Sequence, residues 1–252
     1  HPASISGLIA PIAILGKVEF FVPLVLVAYV IGHFLSYLSS ITVEKYSVWT
    51  LGYPSRYLLG HTPPGYFSPA ETAEPRRVVR FVVALLLLPL VLTELVLNWF
   101  SFRPLYAKPI DPTLRRRIGD CLRSFDNDHG LSLGDNITPD GEERDNFRLV
   151  YHFALEHAQA HVPKMQNFVA LYGFTRTLAL EAVIFAWGAA YWTWTGQLCR
   201  GEGSAIAVAA AVTAAVFYLD FNKFYRKFSL EAFMAFVTVW NAELVKTRVR
   251  QS

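Results

Sequence analysis

The chain has 252 residues, of which 53% are hydrophobic and only 17% are charged. Soluble domains carry about 25% charged residues, so this composition argues against an ordinary soluble protein. Two cysteines exclude a disulfide framework, and the net charge of +3 is so small that the placement of the charges is more informative than their total.

Four apolar segments dominate the sequence. Each is about as long as the ~20 residues that a helix needs to cross a bilayer. They are Phe20–Leu38, Phe81–Phe102, Thr177–Cys199 and Gly203–Phe221. We therefore predict an all-α, polytopic membrane protein with about four transmembrane helices and a small helical cytoplasmic module.

The N-terminal membrane region is predicted to span 1–102, with two spans joined by an interfacial loop. Before the first span, the apolar stretch Ile5–Leu15 is interrupted by Pro11. It lacks the basic region and the cleavage site of a signal peptide, which favours a short re-entrant or interfacial element. The connection Ser39–Arg80 is rich in turn signals and aromatic residues and is predicted to lie on the membrane surface.

The polar module is predicted at 103–167. Asp111 followed by Pro112 indicates a helix start, with the Asp as N-cap. A second helix is predicted from Glu142 to His161, and Pro163 is expected to end or kink it. Two helices make a small core, so we expect the module to lean on the membrane helices or on a neighbouring subunit.

The C-terminal membrane region is predicted at 168–252. Lys164 to Thr195 contains no proline, so one helix is expected to extend beyond the bilayer. Helical spacing of apolar residues also continues after Asp220. This pattern predicts that the fourth span runs on into an amphipathic cytoplasmic tail helix.

Basic residues indicate the topology. With four spans and both termini inside, 17 of the 23 Lys and Arg residues lie on the cytoplasmic side and six lie outside. The positive-inside rule then favours a plasma-membrane protein, most simply of a bacterial inner membrane, with cytoplasmic termini. Arg76, Arg77 and Arg80 conflict with this scheme, because they place basic charge in an external loop. A re-entrant first segment, leaving three true spans, would remove the conflict.

Ionisable side chains in or near the apolar segments are candidates for a polar pathway or pore, because charge in hydrocarbon is costly. The candidates are Glu181, His33, Glu94 and Asp220, with Glu19 near the start of the first span. Glu94 and Asp220 lie close to span ends, where headgroups can solvate them. Structural hydrogen bonding is the alternative for Glu181 and His33.

Small residues recur every four positions in the fourth span. The two series are Ala205, Ala209 and Thr213, and Ala207, Ala211 and Ala215. Such spacing lets helices approach closely in lipid. It predicts packing within one bundle, or else a contact between subunits or a small-residue lining for a pore, and these alternatives do not exclude one another.

Two further groups have weaker patterns. His157 and His161 have the i, i+4 spacing of metal ligands, with Glu156 beside them, but no HExxH motif is present. Ordinary hydrogen bonding is the alternative, and we predict no cofactor. Lys223, Arg226 and Lys227 follow the fourth span, where they either bind anionic lipid headgroups or simply obey the positive-inside rule. Arg115–Arg117 is a short run with acidic neighbours, so no nucleic-acid partner is expected.

No motif identifies a family or a reaction, so three functions stay open. The leading hypothesis is a homo-oligomer that forms or gates a pore, such as a trigger-controlled membrane effector whose module docks a protein partner. The alternatives are a non-catalytic subunit or scaffold of a larger complex and a membrane-bound, metal-dependent lipid enzyme.

Overall fold

The computed structural model describes residues 18–61, Tyr66, 74–99, 108–129 and 146–251, and their regular elements are all helical. The helices are α1 (Val18–Ser39), α2 (Lys45–Leu51), α3 (Pro54–Leu58), α4 (Glu74–Leu86), α5 (Leu88–Trp99), α6 (Pro112–His129), α7 (Asn146–His157), α8 (Val162–Trp194) and α9 (Arg200–Gln251). A π-helical turn (Ser40–Glu44) joins α1 to α2. The element predicted at Ile5–Leu15 lies outside the described residues.

The antiparallel pair of α8 and α9 forms the axis of the fold. The two helices have 33 and 52 residues, which confirms that both apolar segments belong to much longer helices. Gly196 turns the chain between them with a φ of 76°. At the same end, a Cβ on Gly203 would lie 1.8 Å from Thr193 Oγ1, so glycine permits this close approach.

The second apolar segment is broken. Its two helices, α4 and α5, meet at Leu87 with a bend of 85°. Pro89 accounts for the break, because proline has no N–H to donate and its ring clashes with the carbonyl four residues earlier. Neither α4 with 13 residues nor α5 with 12 is long enough to cross a bilayer alone.

Three helices are long and apolar enough to cross a membrane, or four if the bent pair counts as one span. They are Phe21–Leu58, which continues α1, and Gln159–Trp194 and Arg200–Ala242, which contain α8 and α9. No residue in the most apolar part of the first is buried against the rest of the described chain. Large apolar side chains exposed on every side are compatible with an integral membrane location.

The predicted module packs against the C-terminal half of α9. α6 begins at Pro112 as predicted, and Asp111 Oδ1 accepts the Thr113 N–H at 2.9 Å. The second helix differs from prediction, since α7 ends at His157 and a short 3-10 turn follows. Pro163 does not end this helix but lies in the first turn of α8, where a missing N–H costs nothing.

Aromatic residues form the core of this module. Phe236 is fully buried, and its ring packs against Phe125 and Phe153 at centroid distances of 5.4 and 5.6 Å. Ile118 and Leu58 are also fully buried in the same cluster, so α3, α6, α7 and α9 share one core.

We expect Phe236→Ala to lower the free energy of unfolding by about 3 to 5 kcal/mol, because it opens a cavity in this core. Phe81→Ala is the matched control, since Phe81 is 61% exposed on α4. Thermal unfolding in detergent measures both. Equal loss of stability in the two variants would contradict a core centred on Phe236.

Candidate functional site: a polar layer across the bundle

Seven polar side chains from six elements meet near the point where α1 ends against α8. They lie on α1, the π turn, α2, α5, α8 and α9, and the apolar parts of the helices lie beyond them. We call them the polar layer: Ser39, Glu44, Tyr46, Ser47, Glu94, Arg176 and Asn222.

Arg176 connects α8 to α1 and to the π turn. Its Nη1 donates to Glu44 Oε2, its Nε to Ser39 Oγ at 3.1 Å, and its Nη2 to the Ser36 carbonyl at 3.3 Å. The Arg176 side chain is 11% exposed and that of Glu44 is 26% exposed. Because π turns displace side chains from the regular helical positions, the turn brings Glu44 within reach of this guanidinium.

Two further contacts join α2 to α5 and α9. Tyr46 Oη donates to Glu94 Oε2 at 2.5 Å, and Ser47 Oγ donates to Asn222 Oδ1 at 2.5 Å. Asn222 Nδ2 in turn donates to the Tyr218 carbonyl. Glu94 is only 4% exposed, so the structure places this pathway candidate inside the chain, as a buried hydrogen-bond acceptor.

Arg80 forms a second anchor beside the polar layer. Its Nη1 donates to the Tyr66 carbonyl at 2.6 Å, and its guanidinium lies 5.3 Å from the centroid of the Trp49 ring. Tyr66 Oη donates to the Arg80 carbonyl at 2.7 Å. Burial raises the pKa of the Tyr66 phenol to about 12, although the Arg80 charge opposes the rise, so the phenol remains a donor at neutral pH.

Each member of the polar layer hydrogen-bonds to another group of the chain, and the space beside them is apolar. A groove of about 380 Å³ is lined by Leu38, Thr42, Leu85–Leu87, Leu180, Val183, Ile184 and Trp187. A set of mutually paired polar groups holds helices together, whereas catalysis needs groups that face a substrate. The polar layer therefore fixes the helices where they leave the apolar part of the bundle.

His33 and Glu181 lie elsewhere. His33 is exposed on α1, and its ring meets the Tyr29 ring edge-on at 4.5 Å. Glu181 is half-buried on α8. Asp220 is also half-buried and pairs with Lys223 at 3.4 Å, so it belongs neither to the polar layer nor to the contacts of Arg80.

The two small-residue series of α9 face different surroundings. Ala215 is buried and Ala207 and Ala211 are half-buried, so this series packs within the chain. In contrast, Ala205, Ala209 and Thr213 are all exposed. One series is thus turned toward the interior of the chain, and the other is open to a neighbour.

The histidine candidates are not brought together. His157 Nδ1 lies 3.1 Å from the Phe153 carbonyl, while His161 Nδ1 lies 2.8 Å from Glu231 Oε1. The end of α7 at His157 separates the two imidazoles, and Glu156 is exposed. In the described part of the chain, no group of three or more His, Cys, Asp or Glu residues is arranged to hold a metal ion.

The basic residues after the fourth span differ in their contacts. Arg226 Nε donates to the Lys108 carbonyl at 2.8 Å and so ties α9 to the module. Lys223 and Lys227 are exposed, and both ammonium groups lie near the Phe224 ring. Binding of lipid headgroups by these residues stays a prediction.

Sequence reasoning missed most of the polar layer. It singled out Glu94 but not Arg176, Glu44 or Asn222. No pattern in the sequence pairs Glu44 with Arg176, which lies 132 positions away.

Comparisons with family models, with curated proteins and with solved structures found no match to this chain.

Removing one member of the Arg176–Glu44 pair leaves the other charged and largely buried. We expect Arg176→Met to cost about 3 to 5 kcal/mol of unfolding free energy, and the double variant Arg176→Met/Glu44→Leu to cost clearly less. Arg123→Met is the control, because its pair with Asp120 is exposed and is worth about 1 kcal/mol or less. Thermal unfolding in detergent is the measurement. A double variant as unstable as Arg176→Met would show that the unpaired Glu44 charge is not the cause of the lost stability.

Proposed function

We propose that α1, α8 and α9 cross one bilayer and that the α4–α5 pair enters it and returns on the same side. The position of the α4–α5 bend along α8 supports this arrangement. Trp187 Nε1 donates to the carbonyl of Leu86, next to the bend, at 2.8 Å. Trp187 is eleven residues beyond Arg176, or ~16 Å at 1.5 Å per residue. That is about half of the ~30 Å hydrocarbon layer, so the bend lies near its middle.

Both ends of the α4–α5 pair contact the side that holds the module. Arg80, which directly precedes the apolar part of α4, binds Tyr66. Glu94, near the other end, binds Tyr46 in the polar layer. The chain then reaches Ile110, whose N–H donates to the carbonyl of Leu58 at 3.3 Å within the module core. A segment that begins and ends on one side is a re-entrant pair and not a span.

The distribution of basic residues supports three crossings more strongly than four. In this topology 21 of the 23 Lys and Arg residues lie on the module side, and only Lys17 and Arg200 lie opposite. The conflict posed by Arg76, Arg77 and Arg80 disappears. The module and the C-terminal end of α9 are then cytoplasmic and the N-terminal end of α1 is external, in place of the two cytoplasmic termini expected from four spans. A bacterial plasma membrane remains the proposed location.

Cysteine accessibility separates the two topologies. Cys199 is exposed beyond α8, and Cys121 is buried in the module, where burial also raises the pKa of its thiol. A membrane-impermeant maleimide added to intact cells should label Cys199. In a variant lacking both native cysteines, His61→Cys should be labelled only after the cells are permeabilised. The four-span topology places residue 61 outside the cell. Labelling of His61→Cys in intact cells therefore refutes the re-entrant pair.

For function, we infer that the protein is a homo-oligomer that forms or gates a pore. The observation that carries this inference is the outward face of the spans. Ala205, Ala209 and Thr213 on α9 are exposed, and in lipid such small-residue faces are where helices associate. Apolar side chains pack the interior of the described bundle, which favours a water path enclosed by several chains.

The module is proposed to act as the trigger. α9 is a single helix of 52 residues, ~78 Å long at 1.5 Å per residue, and it is shared by the membrane bundle and the module core. A partner that binds the module more tightly in one state of α9 than in another would shift the pore between closed and open. This coupling fits a trigger-controlled membrane effector.

Association in nanodiscs tests the oligomer. We expect a defined multimer by native mass measurement and conductance in planar bilayers. Ala209→Ile should lower the association constant roughly tenfold, about 1.4 kcal/mol, because a larger side chain separates the helix backbones. Val208→Ile is the control, since it enlarges an exposed residue about 100° round the same helix.

Two outcomes contradict the proposal. A monomer with silent bilayers removes the pore. A single copy that co-purifies with a stoichiometric partner moves the assignment to a subunit of a larger complex.

A further inference from the structure

One face of α1 presents polar groups to the membrane. Tyr29, His33 and Tyr37 are spaced four apart and therefore lie on the same side of the helix. Tyr29 and Tyr37 are each 65% exposed, and the ring contact with Tyr29 leaves the His33 imidazole exposed as well. An imidazole at membrane depth is costly unless a polar partner meets it.

Glu181 on α8 is an acidic group at membrane depth, and it too needs a polar partner. At 100° per residue it shares a face with Phe174 and Phe185, which are 61% and 56% exposed. The residues that contact α9, among them Ala179 and Val183, lie on the opposite face. Glu181 therefore points out of the bundle.

The other acidic residues of the described apolar segments are already engaged. Glu94 accepts from Tyr46, and Asp220 pairs with Lys223. Glu181 alone among these three is at membrane depth, directed outward and without a hydrogen bond or ion pair to a described residue.

His33 and Glu181 lie at matching depths. Ser39 Oγ and Thr177 Oγ1 are 3.4 Å apart and set a common level for α1 and α8. His33 is six residues from Ser39, up to ~9 Å along the helix, and Glu181 is four residues from Thr177, ~6 Å. Two copies in one bilayer therefore hold these groups within a side chain's length of the same plane.

We propose that His33 of one copy donates an imidazole N–H to the Glu181 carboxylate of the next copy. The proposal rests on the homo-oligomer proposed above and adds a second contact to the one proposed for α9. α1 of each copy then packs on the outward face of the neighbour's α8. Because the two surfaces differ, the contact is heterologous and repeats head to tail, which closes into a ring when the rotation permits. A ring is also the arrangement that encloses a pore.

Disulfide trapping tests the contact between chains. Two differently tagged chains lacking Cys121 and Cys199 are co-expressed, one with His33→Cys and the other with Glu181→Cys. Each has a single thiol, so an intrachain bond cannot form. Mild oxidation in the membrane should give a mixed-tag dimer. Ile31→Cys with Glu181→Cys is the control, because Ile31 lies about 200° round α1 from His33, and it should not cross-link.

Exchange of the two residues tests the chemistry. His33→Glu and Glu181→His alone should each lower the association constant roughly tenfold, because like groups then meet. The double variant should return it to within about twofold of the original.

The outcomes distinguish failure of the His33–Glu181 contact from failure of the proposed homo-oligomer. A multimer by native mass that gives no mixed-tag dimer, or that the double exchange does not restore, overturns the His33–Glu181 contact and leaves the homo-oligomer standing. A monomer overturns both.

Discussion

The packing of α8 against α9 is the contact on which the other helices depend. α9 contributes to all three apolar clusters of the described chain, and α8 accompanies it from Thr193, beside Gly203, to Met165, which is fully buried. The contact is close because small side chains lie in it, among them Ala179 and Ala214, which are fully buried. In lipid, where apolar burial contributes little, close packing of this kind is the main source of helix association.

The chemistry of this helix pair changes at the polar layer. Toward Gly203 from this layer, most outward residues are apolar, and the buried ones include several small residues such as Ala186, Ala189 and Ala214. On the other side, α9 buries large rings such as Phe236 and Trp240 against the module. In the proposed topology this change coincides with the edge of the hydrocarbon, so Arg176 and Glu44 lie where charge is least costly and still find each other. Their pairing also fixes α1, which otherwise projects free of the bundle.

In the proposed topology, the broken α4–α5 segment removes the conflict in the charge pattern. As a span, it places Arg80 on the wrong side of the membrane. As a re-entrant pair, it returns Arg80 to the module side, where the side chain is buried between Trp49 and Tyr66. Pro89 produces the break, and Glu94 holds the returning helix to α2. A single proline thus breaks a segment of spanning length into two helices, which the proposed topology places on one side of the membrane.

The sequence by itself determined the helical class, the apolar segments and the start of α6 at Pro112, because hydropathy, periodicity and capping act over a few residues. It also marked Glu94, Glu181 and His33 as polar groups among apolar neighbours. Only the tertiary structure decided that Glu94 is buried against Tyr46 while Glu181 points outward, and that α4 and α5 meet at a bend of 85°. Those outcomes depend on contacts between residues far apart in the chain, such as Arg176 with Glu44, and no local pattern encodes which distant partner a side chain meets.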